Sequence, residues 1–108
     1  MNWPLLRGQV IRVEIGLPEP KLFLVVSNNR RNRQLPQVLA ARLTTTPKPT
    51  LTSVVEIIHP EVFIGRVVCD DIVEIYEEDV IQILGGLTAS SMQQVSIGLA
   101  AALDIRVN

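Results

Sequence analysis

The sequence predicts a mainly β domain with a C-terminal helix, an α+β unit whose five or six short strands curl into a barrel-like sheet. Three observations lead there. Apolar residues come in short alternating or continuous runs closed by Gly, Pro, Asn or Asp. The period changes once, near residue 88, to helical spacing. A chain of 108 residues is long enough for one core without disulfides or metals, so residues 1–108 are expected to form one unit.

Gln9 to Ile15 alternates, with Ile11, Val13 and Ile15 on one side and Arg12 and Glu14 on the other, the pattern of a half-buried strand. Gly16 to Pro20, with a second proline at Pro18, breaks it. Leu22 to Val26 is continuously apolar and reads as a strand buried on both faces. Ser27 to Pro36 reads as a polar loop, and Gln37 to Thr44 as a third strand ended by Thr45, Thr46 and Pro47. β-Branched Val54 to Ile58 is a fourth strand, His59 to Glu61 a turn, and Phe63 to Cys69 a fifth strand with Asp70 and Asp71 in a solvated turn after it. Tyr76 to Val80 reads as one helical turn and Ile81 to Leu84 as a short strand. Thr88 is a good helix N-cap, and Met92, Val95, Leu99, Ala102 and Leu103 then fall on one helical face. That helix would cover one face or one open end of the sheet.

Composition narrows the function classes. A net charge of -1 argues against a whole-surface polyanion binder, so any nucleic-acid site must be local. The four aromatics, Trp3, Phe23, Phe63 and Tyr76, are too few for a single-strand stacking platform. One cysteine, Cys69, excludes an internal disulfide and fits a reducing compartment. Cys69 and the single histidine, His59, cannot build a zinc site, and neither a metal nor a cofactor is expected. No apolar run is long enough to span a bilayer, and the opening lacks the apolar core of a signal peptide, so the expected location is the cytoplasm.

Positive charge and hydroxyls gather between Pro20 and Thr46. Arg30, Arg31 and Arg33 stand among Asn28, Asn29, Asn32 and Gln34; guanidiniums fork onto phosphates, although the same composition describes an ordinary solvated loop. Thr44, Thr45 and Thr46 offer hydroxyls at a strand end, a place where threonine is also common for structural reasons. Arg42 and Thr44 have the same parity and so share a strand face. Asp70 and Asp71 open an acidic stretch that would repel RNA, with Asp70 alone able to orient a neighbouring cation. His59 has no sequence partner, and Cys69, after two valines, reads as a small buried apolar residue.

Four segments together resemble the MazF/PemK toxins. "LLRGQVIRVEI" is similar to that family's Arg-Gly-Asp/Glu-hydrophobic opening, and "LFLVVSNNRRNRQLPQVLAARLTT" to its Val-Val-Ser-Asn core running to a Leu-Thr end. "VVCDDI" resembles its Cys-Asp-Gln segment, and "ILGGLTASSMQQVSIGLAAALDI" its closing helix. The resemblance implies a small SH3-like β-barrel of the MazF, Kid and CcdB type, a homodimer, and a toxin of a type II toxin–antitoxin system. It implies metal-independent, sequence-specific cleavage of single-stranded RNA to 2′,3′-cyclic phosphate and 5′-hydroxyl ends. It also implies a MazE-like antitoxin partner, with operator DNA met only through that antitoxin.

The same resemblance puts the catalytic pair at Lys21 and Thr44; the charge and hydroxyl pattern of the residues themselves suggests Arg30, Arg31, Arg33, Arg42, Thr45 and Asp70 as RNA contacts. Lys21 stands where the family has an arginine, which keeps the charge and loses the fork. Val73 stands where many members have another arginine, and the loop from Gly16 to Pro20 is short. Arg42, on Thr44's face, is expected to replace part of the missing guanidinium. The arginine loop is expected to lie nearby. The alternative is a catalytically weak module of the same fold that acts through antitoxin binding and autoregulation. A CcdB-like poison of a protein target such as DNA gyrase fits the residues less well.

Overall fold

The computed structural model describes residues 3–106. Among the described residues, six strands form one antiparallel sheet in the order β4-β5-β3-β2-β1-β6. They are β1 (Gln9–Val13), β2 (Lys21–Val25), β3 (Gln37–Thr44), β4 (Val54–Ile57), β5 (Gly65–Tyr76) and β6 (Val80–Gly86). A short helix, α1 (Asn29–Gln34), joins β2 to β3, and α2 (Ala89–Leu103) follows β6. The expected class, mainly β with a C-terminal helix, is the class observed.

The register divides the apolar residues between two faces. Val10 lies opposite Leu24, and Leu24 opposite Ala41. These three join Leu43, Val55, Val67, Cys69 and Val95 in the core beneath α2. One residue along each strand, the parity reverses. Ile11 faces Phe23, and with Val13, Val25, Val38, Ala40 and Ile75 these form a second core. Leu22 to Val26 was expected to be buried on both faces, and Phe23, Leu24 and Val25 are. The second face changes character at one rung, where Phe23 pairs with Arg42. Beyond that rung lie Lys21 and Thr44.

Four expectations need correction. The expected polar loop after Ser27 holds α1, because Asn28 caps it through its side-chain oxygen and Arg31 N (2.8 Å). Asn32 is buried there, its amide donating to the Ser27 carbonyl (3.0 Å), while Ser27 Oγ accepts from Leu39 N (3.0 Å). The turn expected at Asp70 and Asp71 is strand: β5 continues to Tyr76, and a bulge absorbs the mismatch, since Ala41 pairs with Ile72 while Arg42 pairs with Val68. Ile15 lies past the end of β1 and is exposed rather than on the core face. Leu103 is also exposed, in the last turn before Asp104, whose left-handed φ of 53° ends the helix; Met92, Val95, Leu99 and Ala102 carry the packing.

Two close approaches fix the layers. A Cβ on Gly98 of α2 would come within 2.6 Å of Val55 Cγ2 and 2.9 Å of Cys69 Sγ, so the helix lies directly on β4 and β5. The β4–β5 connection is tied to the start of α2 by Glu61, which accepts hydrogen bonds from Thr88 N (3.1 Å), Thr88 Oγ1 (2.5 Å) and Ser91 Oγ. A carboxylate suits a helix N-terminus, where backbone N–H groups lack partners. The Ser91 and Thr88 hydroxyls hold the Glu61 carboxyl below its ordinary pKa of 4.5.

A folded pKa below the unfolded one means that Glu61 stabilises the protein above about pH 4.5, and that this contribution fades as pH falls through the lower, folded value. Glu61→Gln should therefore lower the urea midpoint at pH 7, and the gap from wild type should shrink progressively below pH 4.5. A gap independent of pH would contradict the assignment.

Candidate active site

The β2–β3 pairing assembles the site. Phe23 faces Arg42, Leu24 faces Ala41 and Val25 faces Ala40. The same antiparallel count, carried two residues further, sets Lys21 beside Thr44. Lys21, Arg42 and Thr44 line one open cleft of about 280 Å³, with Thr45, Thr46 and the ring of Phe63 also on its walls. A second cleft of about 380 Å³ adjoins it and shares Lys21 and Arg42. Its other walls are apolar (Ile15, Leu17, Pro18, Phe23 and Val73) except for Asp71.

Thr44 is held tightly for a residue at a strand end. Its side chain is nearly buried, and its Oγ1 accepts from Thr46 N at 3.1 Å. The hydroxyl proton is left free to donate. Its carbonyl is approached by Gly65, where a Cβ would sit 2.5 Å from Thr44 O and 2.7 Å from Phe63 Cζ. Gly65 also has φ of +150°, so glycine suits the position twice over. Arg42 is half-exposed, with its guanidinium 3.7 Å from Asp71. Arg66, opposite Thr44 on β5, reaches the Thr45 carbonyl at 3.5 Å and Glu56 at 3.8 Å.

Lys21, Arg42, Thr44 and Thr45 thus converge, but Asp70 and the arginine cluster do not join them. Asp70 accepts from Ser53 Oγ at 2.9 Å on the β4 side of β5. The β5 bulge reverses the parity that adjacent residues would otherwise suggest, and Asp71 is the acid that faces the cleft. Arg30, Arg31 and Arg33 lie on α1, before Gln37, at the opposite end of β3 from Thr44. Seven strand steps separate the two ends, roughly 23 Å at about 3.3 Å per residue. The expectation that these arginines lie near the catalytic pair is therefore corrected: the chain returns along β3 before it reaches Thr44. Arg31 is further occupied with Gln37 O (3.3 Å) and Gln37 Oε1 (2.9 Å), and Gln37 in turn donates to Glu74 (3.0 Å). The acidic stretch at the end of β5 shares that far end, since Tyr76 pairs with Gln37.

Asp71 and Phe63 are the cleft residues that the sequence pattern did not reveal. Phe63 was expected to open the fifth strand, but β5 begins at Gly65 and Phe63 lies in the irregular segment before it. Among the described residues there is no group of three or more His, Cys, Asp or Glu that could hold a metal ion. His59 is exposed in the β4–β5 connection.

The arrangement offers two cations and the Thr44 hydroxyl, with the Thr45 and Thr46 side chains also on the walls, around a polar cleft beside an apolar one. Such a set can grip a phosphate, stabilise added negative charge on it, and seat an attached flat apolar group next door. Nucleophilic chemistry by Cys69 is disfavoured. The thiol is buried under α2, and burial, with a smaller contribution from Asp70, pushes its pKa up to about 11. Cys69 should resist a thiol reagent such as DTNB at pH 8 in native protein and react at once in denaturant. Rapid native-state labelling would show that α2 lifts from the sheet.

A family model described as PemK-like, MazF-like toxin of type II toxin–antitoxin system matches residues 7–103. The curated protein Endoribonuclease MazF4 of Mycobacterium tuberculosis is 38% identical over 105 residues, covering 97% of each chain. Endoribonuclease MazF1 of Mycobacterium bovis matches to the same extent. Among solved structures, an endoribonuclease in complex with its cognate antitoxin from a mycobacterial species superposes with a TM-score of 0.90 at 35% identity, covering 97% of this chain and all of that one. A MazE–MazF structure from Deinococcus radiodurans shares the fold, with a TM-score of 0.80 at 16% identity, covering 97% of this chain and 100% of that one.

Proposed function

The chain belongs to the PemK-like, MazF-like toxins of type II toxin–antitoxin systems, and from that premise we propose that it is an endoribonuclease that cuts single-stranded RNA at short sequences without a metal. The observation that carries the reading is the convergence of Lys21, Arg42 and Thr44 on one cleft.

The nucleophile is the RNA's own 2′-hydroxyl. It attacks the adjacent phosphorus, the bond to the 5′-oxygen breaks, and the proton lost by the 2′-oxygen is balanced by one gained on the leaving 5′-oxygen. The products are a 2′,3′-cyclic phosphate and a 5′-hydroxyl. The protein has to hold attacking and leaving oxygens in line and stabilise charge on the phosphorane. Thr44 donates its free proton to a non-bridging oxygen. Lys21 supplies a positive charge and a transferable proton. Arg42 supplies the fork that lysine lacks and replaces part of an arginine at position 21. Thr45 lines the same cleft. Arg30 and Arg33, exposed on α1, meet only nucleotides well removed from the cut.

A MazE-like antitoxin that covers the cleft would silence the enzyme, and operator DNA would be reached only through that antitoxin. The active form would be a homodimer in the cytoplasm.

The test is cleavage of a long, largely unstructured RNA in excess EDTA with the new ends mapped. Wild type should cut at a recurring short sequence and leave cyclic-phosphate and 5′-hydroxyl ends. Thr44→Ala should lower the rate about a hundredfold or more, the loss typical of removing one donor to a developing charge. Arg42→Ala should lower it too. No cleavage by folded wild type would favour a binding module of the same fold, and Lys21 and Val73 would then be the residues to change to arginine first.

A further inference from the structure

Asp71 has no role in the chemistry just described, yet it faces the catalytic cations. It sits on β5 at the bulge, in the apolar cleft that shares Lys21 and Arg42 with the phosphate cleft. Among the described residues its one charged partner is Arg42, 3.7 Å away, with both side chains almost half exposed. That distance is too long for a good hydrogen bond, and an ion pair so exposed is held weakly. The carboxylate is therefore available to a ligand.

The surroundings narrow what that ligand can be. An ionised carboxylate only accepts hydrogen bonds and repels phosphate. Leu17, Pro18, Phe23 and Val73 around it favour a flat apolar surface. At about 380 Å³, the cleft falls within the size range of small-ligand sites, roughly 300–1,000 Å³. A group that is flat, apolar on its faces and rich in donors along one edge is a nucleobase with its Watson–Crick edge exposed, as in single-stranded RNA. We propose that Asp71 is a specificity residue, reading the base next to the scissile phosphate and selecting one that presents an amino group. The proposal rests on the ribonuclease reading of the adjoining cleft.

Guanine fits best. Its N1–H and 2-amino group lie side by side and match the two oxygens of one carboxylate. Cytosine and adenine each offer one amino donor at that edge. Uracil offers a single N3–H flanked by two carbonyl oxygens, which the carboxylate repels. Lys21 and Arg42 keep the combined site net positive beside this one acid, so the attached phosphate is still attracted.

The experiment is cleavage of a randomised single-stranded RNA pool by wild type, Asp71→Asn and Asp71→Glu, with all cut sites sequenced. Ratios within one pool cancel any general loss of rate. At one position beside the cut, wild type should favour guanine over uracil by about tenfold or more, the scale of one well-made base contact. Asp71→Asn, which offers a donor as well as an acceptor, should admit uracil and reduce that ratio several-fold, whereas Asp71→Glu should retain the amino-base preference. With unaltered protein, inosine in place of guanine at that position removes the 2-amino group and should slow cutting about tenfold. A wild-type preference for uracil there, a ratio unchanged in Asp71→Asn, or no effect of inosine would overturn the assignment. Wild type that cuts no RNA at all would overturn the ribonuclease reading and this proposal with it.

Discussion

The pairing register of β2 with β3 is the constraint on which the site depends. It places Phe23 against Arg42 and, two residues on, Lys21 beside Thr44. Strand side chains alternate faces, so a slip of one residue would turn half of this set toward the core beneath α2. The register is specified by burial. Leu24 and Ala41 must enter one core while Phe23, Val25 and Ala40 enter the other, and each is buried. A slip would exchange these side chains between two differently shaped cores and turn the Lys21 charge toward the one beneath α2, so the slipped pairing loses packing on both faces and buries a cation. The cationic pair is thus positioned by hydrophobic forces acting on its neighbours.

The two faces do different work. Under α2 the packing is dense enough that Gly98 has no room for a Cβ. On the opposite face the apolar row of β2 and β3 stops at Phe23, and Lys21, Arg42 and Thr44 continue it beside buried Val13 of β1. The irregular β4–β5 connection joins these regions: Glu61 fastens it to α2, Phe63 walls the cleft, and Gly65, the first residue of β5, abuts the Thr44 carbonyl. This division also lets a chain with a net charge of -1 keep a cationic site, because the acidic end of β5 lies at the far end of β3 with the α1 arginines.

Much of this was legible in the sequence, for identifiable reasons. The bounds of β3 follow from its apolar run and the prolines beyond it, and parity alone puts Arg42 and Thr44 on one face. Thr88 announces α2 because a hydroxyl residue before an apolar helical pattern meets the helix's need for an acceptor. What was hidden depended on non-local facts. α1 is six residues of Asn, Arg and Gln, with no apolar stripe to mark it; it is anchored by buried Asn32, whose partner Ser27 is polar too. The β5 bulge cannot be read from alternation, since a bulge is where alternation fails, and so Asp70 looked like the site acid when Asp71 holds that place. The arginines looked close to the site in sequence because linear proximity ignores that β3 runs the length of the sheet.

Lys21 and Thr44 are placed to act together on one phosphate. The direct measurement is a double-mutant cycle on single-turnover RNA cleavage with Lys21→Ala, Thr44→Ala and the double variant. Groups that stabilise the same transition state as a unit lose their effects non-additively. The double variant should cleave about as slowly as the slower single variant. Two rate losses that simply multiply would show independent sites, and the shared-phosphate account would be wrong.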